Sequence, residues 1–127
     1  MDSGFRQLNQ RERGLLEKLL SVEFSGRDEL RTQMNSLVAK QISEDGTLKL
    51  RCDSGSPSLS DYRLAMEGTT QDDDGITISV MLHINKDGFM HLLEIVKDGD
   101  SSIITPPSAP DLVLLLPEHG GAKPEET

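Results

Sequence analysis

Aromatic residues are scarce in this chain, whose 127 residues include three Phe, one Tyr and no Trp. The core must therefore be built mainly from Leu, Ile, Val and Met, and few rings are available to stack on bases or sugars. Basic residues are also in the minority, since 13 Lys and Arg stand against 22 Asp and Glu and leave a formal net charge of −9. The basic residues are scattered along the sequence, so nucleic-acid binding is not expected.

Cysteine and long apolar runs are also lacking. The single cysteine, Cys52, rules out an intrachain disulfide. No run approaches the length of a membrane span, and the polar N-terminal stretch lacks the apolar segment of a secretory signal. We therefore expect a cytoplasmic protein that does not bind membranes. The length is that of one domain, predicted to cover residues 1–116, with residues 117–127 as a disordered tail.

The clearest pattern in the sequence is a β-hairpin over residues 76–96. Residues 76–84 and 89–96 are rich in strand-forming side chains, and Asp87 and Gly88 lie between them. Asp-Gly is a strong hairpin signal because Gly accepts a positive φ and Asp tolerates it. This hairpin is predicted to form the centre of a sheet.

Two helices are predicted ahead of the hairpin. Asn9 and Glu12 have the spacing of a capping box, and four leucines then recur at helical spacing, which predicts a helix over residues 10–20. Ser25 is predicted to cap a second helix. The apolar stripe of the second helix is expected to consist of Leu30, Met34 and either Leu37 or Val38.

Further strands are predicted where apolar and polar residues alternate. Residues 48–52 and 62–66 have this pattern, and Ile103 and Ile104 are predicted to add a short strand. The predicted fold class is α+β, with two N-terminal helices packed on one face of an antiparallel sheet of four to five strands. Residues 112–116 are apolar and are left open as a strand, a helix or a docking segment for a partner.

Two histidines flank the hairpin turn and raise the question of a metal or catalytic site. Pairing residues 78–84 with Leu93 and Ile95 buries the most apolar surface, and it places His91 on the core face and His83 on the other face. A three-residue loop with a bulge at Gly88 would instead set the two histidines side by side. Because two histidines alone make an incomplete zinc site, a structural or surface role is favoured.

The acidic run at residues 72–75 (Asp-Asp-Asp-Gly) resembles part of a calcium loop. The positions that follow are apolar and no Glu stands where a bidentate ligand is needed, so a solvated turn is predicted. No glycine-rich nucleotide-binding motif is present. Neither a metal nor an organic cofactor is expected.

Cys52 and Glu94 are the remaining residues with reactive side chains in informative positions. Cys52 alternates with Arg51 as an inward strand residue does, which predicts a buried structural cysteine. Glu94 is expected on the face away from the core, as an ordinary exposed carboxylate. No catalytic residue is assigned.

Several short motifs occur in a fixed order along residues 11–100. They are LLEKLL at 15–20, FSGRDELRTQ at 24–33, RCDSGSPS at 51–58, VMLHI at 80–84 and LEI at 93–95. Together they resemble a group of small uncharacterised bacterial proteins common in actinobacteria, which implies no established activity. Members of that group often have Cys-x-Cys-x-Cys-Pro-Ser where this chain begins at Cys52 and has Ser54 and Ser56, so no metal or redox role is carried over.

The sequence favours a non-enzymatic protein-binding or regulatory module, of an accessory or immunity-like kind. Its partner would be another protein or a second copy of the chain, bound through an apolar surface. The alternative is a small enzyme or ligand-binding protein with a pocket between helices and sheet, rimmed by residues 52–60. The candidate residues of that pocket are Cys52, Asp53, Ser56, Ser58, His83, His91 and Glu94.

Overall fold

The structure is a computed structural model that describes residues 4–58 and 63–115. It contains two helices, α1 (Gln10–Leu19) and α2 (Arg27–Gln33), and single turns of 3-10 helix at Met34–Ser36 and Ala109–Asp111. The seven strands are β1 (Arg6–Gln7), β2 (Leu37–Gln41), β3 (Leu48–Cys52), β4 (Leu64–Gln71), β5 (Thr77–Ile84), β6 (Met90–Lys97) and β7 (Val113–Leu115). They form one antiparallel sheet in the order β1-β2-β3-β6-β5-β4-β7.

The α+β class and the antiparallel sheet are confirmed, but the predicted number of strands is too low. Strands β1 and β7 are two and three residues long, too short to show alternation, and they form the two edges of the sheet. Strand β2 begins at Leu37, although Leu37 or Val38 was predicted to belong to the apolar stripe of the second helix. The predicted strand at Ile103 and Ile104 is wrong, since both residues lie in a loop. Tyr62 and the predicted tail lie outside the described residues.

Helix α1 begins with the predicted capping box. The Asn9 side chain accepts a hydrogen bond from the Glu12 backbone N–H at 2.8 Å, and the Glu12 carboxylate accepts one from the Asn9 backbone N–H at 2.9 Å. The guanidinium of Arg6 donates to both oxygens of the same carboxylate at 2.8 and 2.9 Å. The cap therefore also ties the first strand to the first helix.

The start of helix α2 differs from the prediction. Its N-cap residue is Gly26, with φ +89°, and no side chain caps the helix, so the predicted Ser25 cap is wrong. The Arg27 guanidinium instead donates to the carbonyl oxygens of Leu20 and Val22 at 3.1 and 3.4 Å. These bonds satisfy the carbonyl groups at the end of α1 and close the link between the helices.

The central hairpin contains one bulge, and it decides where the histidines lie. The turn closes with a hydrogen bond from the Gly88 N–H to the Asn85 carbonyl at 3.0 Å, and Gly88 has φ +91°. Next to the turn Ile84 pairs with Met90, but His83 pairs with Leu92, so His91 is an extra residue on β6. Beyond the bulge the strands keep the favoured apolar pairing. The prediction that His91 lies on the core face is wrong, because the bulge turns it outward.

The two faces of the sheet have different surroundings. The inner face packs against buried leucines of both helices, among them Leu15, Leu16, Leu19 and Leu30, all with no exposed surface. The buried sheet residues of this face include Leu48, Met66, Ile78, Val80, Leu82, Ile84, Met90, Leu93 and Ile95. We call the opposite side the outer face. Residues 4 and 5 lie against Lys40 and Arg51 at one end of it. Elsewhere on this face, the outward strand side chains within 4–58 and 63–115 are half-buried or exposed.

Candidate functional site

The outer face is a broad surface whose cross-strand rows mix apolar side chains with polar or charged ones. The strand pairings place Glu94, Met81, Glu67 and Leu115 in one row and Val96, Ser79, Thr69 and Val113 in the next. Three of its side chains, Val96, Val113 and Leu115, are 38%, 62% and 44% exposed. Val113 and Leu115 are two residues apart on β7, whereas Ser79 and Thr69 separate Val113 from Val96. Exposed apolar side chains on one face are typical of a surface that binds another molecule.

A histidine–glutamate pair lies in the middle of the outer face. His83 Nε2 is 3.0 Å from Glu94 Oε1, and the two side chains are 25% and 38% exposed. The carboxylate orients the imidazole by hydrogen bonding to one ring nitrogen. Glu94 is on the predicted face, but it is paired and not an isolated carboxylate. The pair has the composition of an acid–base site, although it lies on an open face and not in a pocket.

His91 lies beside this pair and next to strand β3. Burial lowers the pKa of His91, and positive charge at His83 and Lys49 lowers it further. The two histidines therefore interact, but the extra residue is His91 and not Gly88, where the alternative geometry placed the bulge. In the described part of the chain, no three His, Cys, Asp or Glu side chains are arranged to hold a metal ion. The absence of a cofactor remains a prediction.

The loop from Cys52 to Ser58 is tied down by side chains of α2 and the following turn. The fully buried amide of Gln33 donates to the carbonyl oxygens of Ser56 and Gly88 at 2.8 and 2.9 Å, and it accepts a hydrogen bond from the Met90 N–H at 2.9 Å. The Ser58 N–H donates to the Gly88 carbonyl at 2.8 Å. The loop therefore packs on the hairpin turn, and its backbone has a structural role.

The other candidate residues of this loop do not converge on one site. Asp53 is exposed and lies 3.5 Å from Arg51, and Ser56 is exposed. The Ser58 hydroxyl is buried and has no hydrogen-bond partner among the described residues. Neither Asp53 nor Ser56 contacts the His83–Glu94 pair in the hydrogen bonds described. Residues 59 and 60 of the predicted rim lie outside the described part.

The Cys52 side chain lies against Gln33 and the backbone of Met90, with more exposure than the predicted buried position. It is half-buried on the inner face, and its Sγ lies 3.6 Å from Gln33 Oε1 and 3.9 Å from the Met90 carbonyl oxygen. Burial raises the pKa of the Cys52 thiol to about 11, and the negative charge of Asp53 adds to the rise. Since the thiolate is the nucleophilic form, Cys52 is poorly suited to catalysis near neutral pH.

The acidic run at residues 72–75 is not a simple solvated turn, and that prediction is wrong for its first residue. Asp72 is buried and lies 2.8 Å from the buried Lys97 ammonium, which also contacts Asp74 at 2.8 Å. Asp72 further accepts the N–H groups of Ile104 and Thr105 at 2.7 and 2.9 Å. Burial opposes the charge of Asp72, but these donors outweigh it, and the pKa of Asp72 lies well below its usual value.

The space between helices and sheet, where the alternative function places its pocket, is occupied by side chains of the core. The cavities described lie elsewhere on the helical side. One is a groove between α1 and α2, lined by Arg13, Glu17, Leu20, Ser21, Arg31, Met34 and Asn35. The second lies beside the N-terminal end of α1, against Ser108, Ala109 and Pro110. Neither contains one of the candidate residues.

Sequence reasoning missed Gln33 and Lys97, although both organise several loops. Their partners are distant in sequence, at 57 residues for Gln33 and Met90 and 25 for Lys97 and Asp72. The sequence signal for Lys97 was its position in the two-residue alternation of β6, because Leu93, Ile95 and Lys97 all point inward. A charged residue in an inward position requires a buried partner, and the acidic run supplies it.

Fold and site together define a class: an α+β protein with helices on one face of an antiparallel sheet and an open second face. No helix in the described residues is long and apolar enough to cross a membrane. A profile for a domain of unknown function, DUF6984, matches residues 5–107, and the chain belongs to this family. The resemblance to an uncharacterised family without an established activity is thus confirmed. No curated protein and no solved structure matches the chain.

Proposed function

We propose that the protein is a non-enzymatic binding module that contacts a protein partner through the outer face of its sheet. The main support for this proposal is the exposure of that face. Val96, Val113 and Leu115 are exposed apolar side chains on its strands, and no described segment packs over them. An antiparallel sheet with one solvated face normally has polar residues there. The three exposed apolar side chains therefore support a role in binding.

The composition of the outer face supports a protein as the partner. Apolar Met81 and Leu92 stand among charged groups such as Glu67 and Glu94, and protein interfaces combine these two kinds of group in the same way. An accessory, regulatory or immunity-like role in the cytoplasm is consistent with a small acidic module of this kind. A second copy of the chain is one candidate partner.

One observation favours a second function, that of a small ligand-binding protein or enzyme. The His83–Glu94 pair has the 3.0 Å geometry in which a carboxylate orients an imidazole for proton transfer. A His83→Gln change would abolish such proton transfer while leaving Val96, Val113 and Leu115 unchanged. Loss of a catalysed reaction in this variant, with partner binding retained, would favour the second function.

Affinity capture from the native host tests the main proposal. The bait is the full chain, compared with Val96→Glu and Val113→Glu, which put charge at two exposed apolar positions of the outer face. The matched control is Ile104→Glu, because Ile104 is 57% exposed and lies in a loop and not on a strand of the outer face. We expect one stoichiometric partner that the wild type and Ile104→Glu retain and the outer-face variants lose.

Two results would contradict the proposal. One is a partner that binds the outer-face variants as tightly as the wild type in light scattering of the purified complex. The other is a monomeric wild-type protein that captures nothing under varied growth conditions. Thermal unfolding of each variant, measured alongside, separates lost binding from lost folding.

A further inference from the structure

One end of the outer face has positive charge although the whole chain is acidic. Strands β2 and β3 place Lys40 directly opposite Lys49, and Arg51 lies on the same face two residues further along β3. Like charges directly opposite each other destabilise a sheet, so this pair costs stability. Among residues 4–58 and 63–115, no carboxylate lies within ion-pairing distance of either lysine.

Two neighbouring features extend this positive region. The bulge in β6 turns His91 outward toward Lys49, and positive charge there lowers the His91 pKa. On the other side, the Arg51 guanidinium lies 4.7 Å from the centre of the Phe5 ring, which holds it over the edge of the sheet. Asp53 approaches only the Arg51 Nε, at 3.5 Å. We call the set Phe5, Lys40, Lys49, Arg51 and His91 the cationic corner.

We propose that the cationic corner binds carboxylates of an acidic segment in the protein partner, an inference that rests on the proposed function. The two lysines lie on neighbouring strands about 5 Å apart, a spacing at which one extended acidic segment reaches both. A carboxylate between them relieves a repulsion that no carboxylate within residues 4–58 and 63–115 balances. It also stabilises the protonated form of His91.

The surroundings of the corner favour a protein segment over a nucleic acid. Next to Lys49 the outer face continues with apolar Leu92, and the next row contains Glu94 and Glu67. A uniform polyanion would meet those carboxylates and the net charge of −9. A segment that alternates acidic and apolar side chains complements both the corner and the rows beside it.

The test uses the full chain and a synthetic peptide of alternating Glu and Leu, with a Lys-Leu peptide of equal length as the control ligand. Binding is followed by amide chemical shifts and by titration of the histidine ring signals. We expect the Glu-Leu peptide to shift Phe5, Lys40, Lys49 and Arg51 and to raise the pKa of His91, with weaker binding at higher salt. His83 with its Glu94 partner and Lys49 are the charged groups facing His91, so the ring titrations of both histidines are recorded.

Charge reversal supplies the matched variants. Lys40→Glu places a carboxylate opposite Lys49, so this variant is expected to fold at least as stably as the wild type. Its affinity for the Glu-Leu peptide is expected to fall about tenfold or more. Arg31→Glu makes the same change of charge on α2, on the other side of the sheet, and is expected to leave the affinity within about twofold. Equal affinity of Lys40→Glu and the wild type would overturn the inference.

Two competing ligands complete the experiment. Tighter binding of a single-stranded oligonucleotide than of the Glu-Leu peptide would overturn the inference in favour of a nucleic-acid site. Displacement of the peptide by inorganic phosphate at equal concentration would overturn it in favour of a small-anion site. If the native partner is lost from Val96→Glu but retained by Lys40→Glu, the proposed function stands and this inference fails.

Discussion

Gln33 is fully buried, and its side-chain amide serves two loops at once. One end of the amide donates to Ser56 and Gly88, and the other accepts from Met90 and the Cys52 thiol. All of its hydrogen-bonding capacity is thus used inside the protein, as buried amides require. At this scale the candidate loop is a structural feature, and the Cys52 thiol belongs to the same network.

The reactivity of Cys52 tests this view of the loop. Because burial raises its pKa to about 11, the thiolate fraction near pH 8 is about two orders of magnitude below that of a free cysteine. We expect alkylation by a small thiol reagent to be slower by a comparable factor in the native protein. Denaturant should restore the rate of a free thiol, and a native rate equal to the denatured rate would contradict the half-buried position of Cys52.

At the scale of the elements, strand β7 depends on a glycine in its neighbour. Leu112 is 3% exposed and packs directly over Gly68 of β4, where a Cβ atom would lie 2.6 Å from Leu112 Cγ. Only a residue without a side chain leaves this space. Strand β7 lies beyond residues 5–107, the range that the family profile matches.

Two glycine-to-alanine changes separate packing from backbone effects. Gly68→Ala should displace Leu112, loosen β7 and destabilise the protein by about 1 to 3 kcal/mol. Gly14→Ala is the control, since a Cβ there would have an ordinary 3.7 Å contact with Ala109, and it should raise stability by up to about 1 kcal/mol. Denaturant unfolding gives both values, and proteolysis of residues 108–115 reports on β7. Equal stability of the two variants would refute the close packing of Leu112 over Gly68.

At the scale of the whole molecule, one buried cation joins the β4–β5 turn to the segment that leads to β7. The Lys97 ammonium contacts Asp72, Asp74 and the Ser102 carbonyl oxygen at 2.8 to 2.9 Å. The side-chain hydrogen bonds to both aspartates raise the Lys97 pKa, and the same contacts contribute to the lowered pKa of Asp72. The charged state of this cluster therefore holds the C-terminal segment against the sheet.

Acid should weaken the fold through this cluster. Because the folded pKa of Asp72 is lowered, its contribution is complete above the unfolded pKa of about 4 and is lost as pH falls from there toward the folded value. Asp72→Asn should be less stable than the wild type at neutral pH, and the difference should shrink in acid. The control is Asp100→Asn, which changes an exposed aspartate in the turn after β6. Its stability should depend on pH as that of the wild type does. Denaturant midpoints measured across this pH range decide the question, and a constant difference between Asp72→Asn and wild type would contradict the assignment.

Features made by neighbours in the chain could be predicted from the sequence. The capping box joins residues three apart, the turn at Gly88 needs its positive φ whatever surrounds it, and the leucine spacing of α1 follows from the helical period alone. The α+β class follows from the same local periods. Each of these depends on hydrogen bonds and side-chain directions within a few residues.

The site itself was decided by the tertiary structure. The bulge at His91 exists because the turn geometry and the apolar pairing demand registers that differ by one residue, and an extra residue on β6 satisfies both. The meeting of Lys40 with Lys49 depends on the register of β2 and β3, and the burial of Lys97 depends on Asp72, 25 residues away. Local sequence determines which elements form, whereas the pairing of strands and the burial of charge depend on the free energy of contacts between distant segments, which local patterns do not contain.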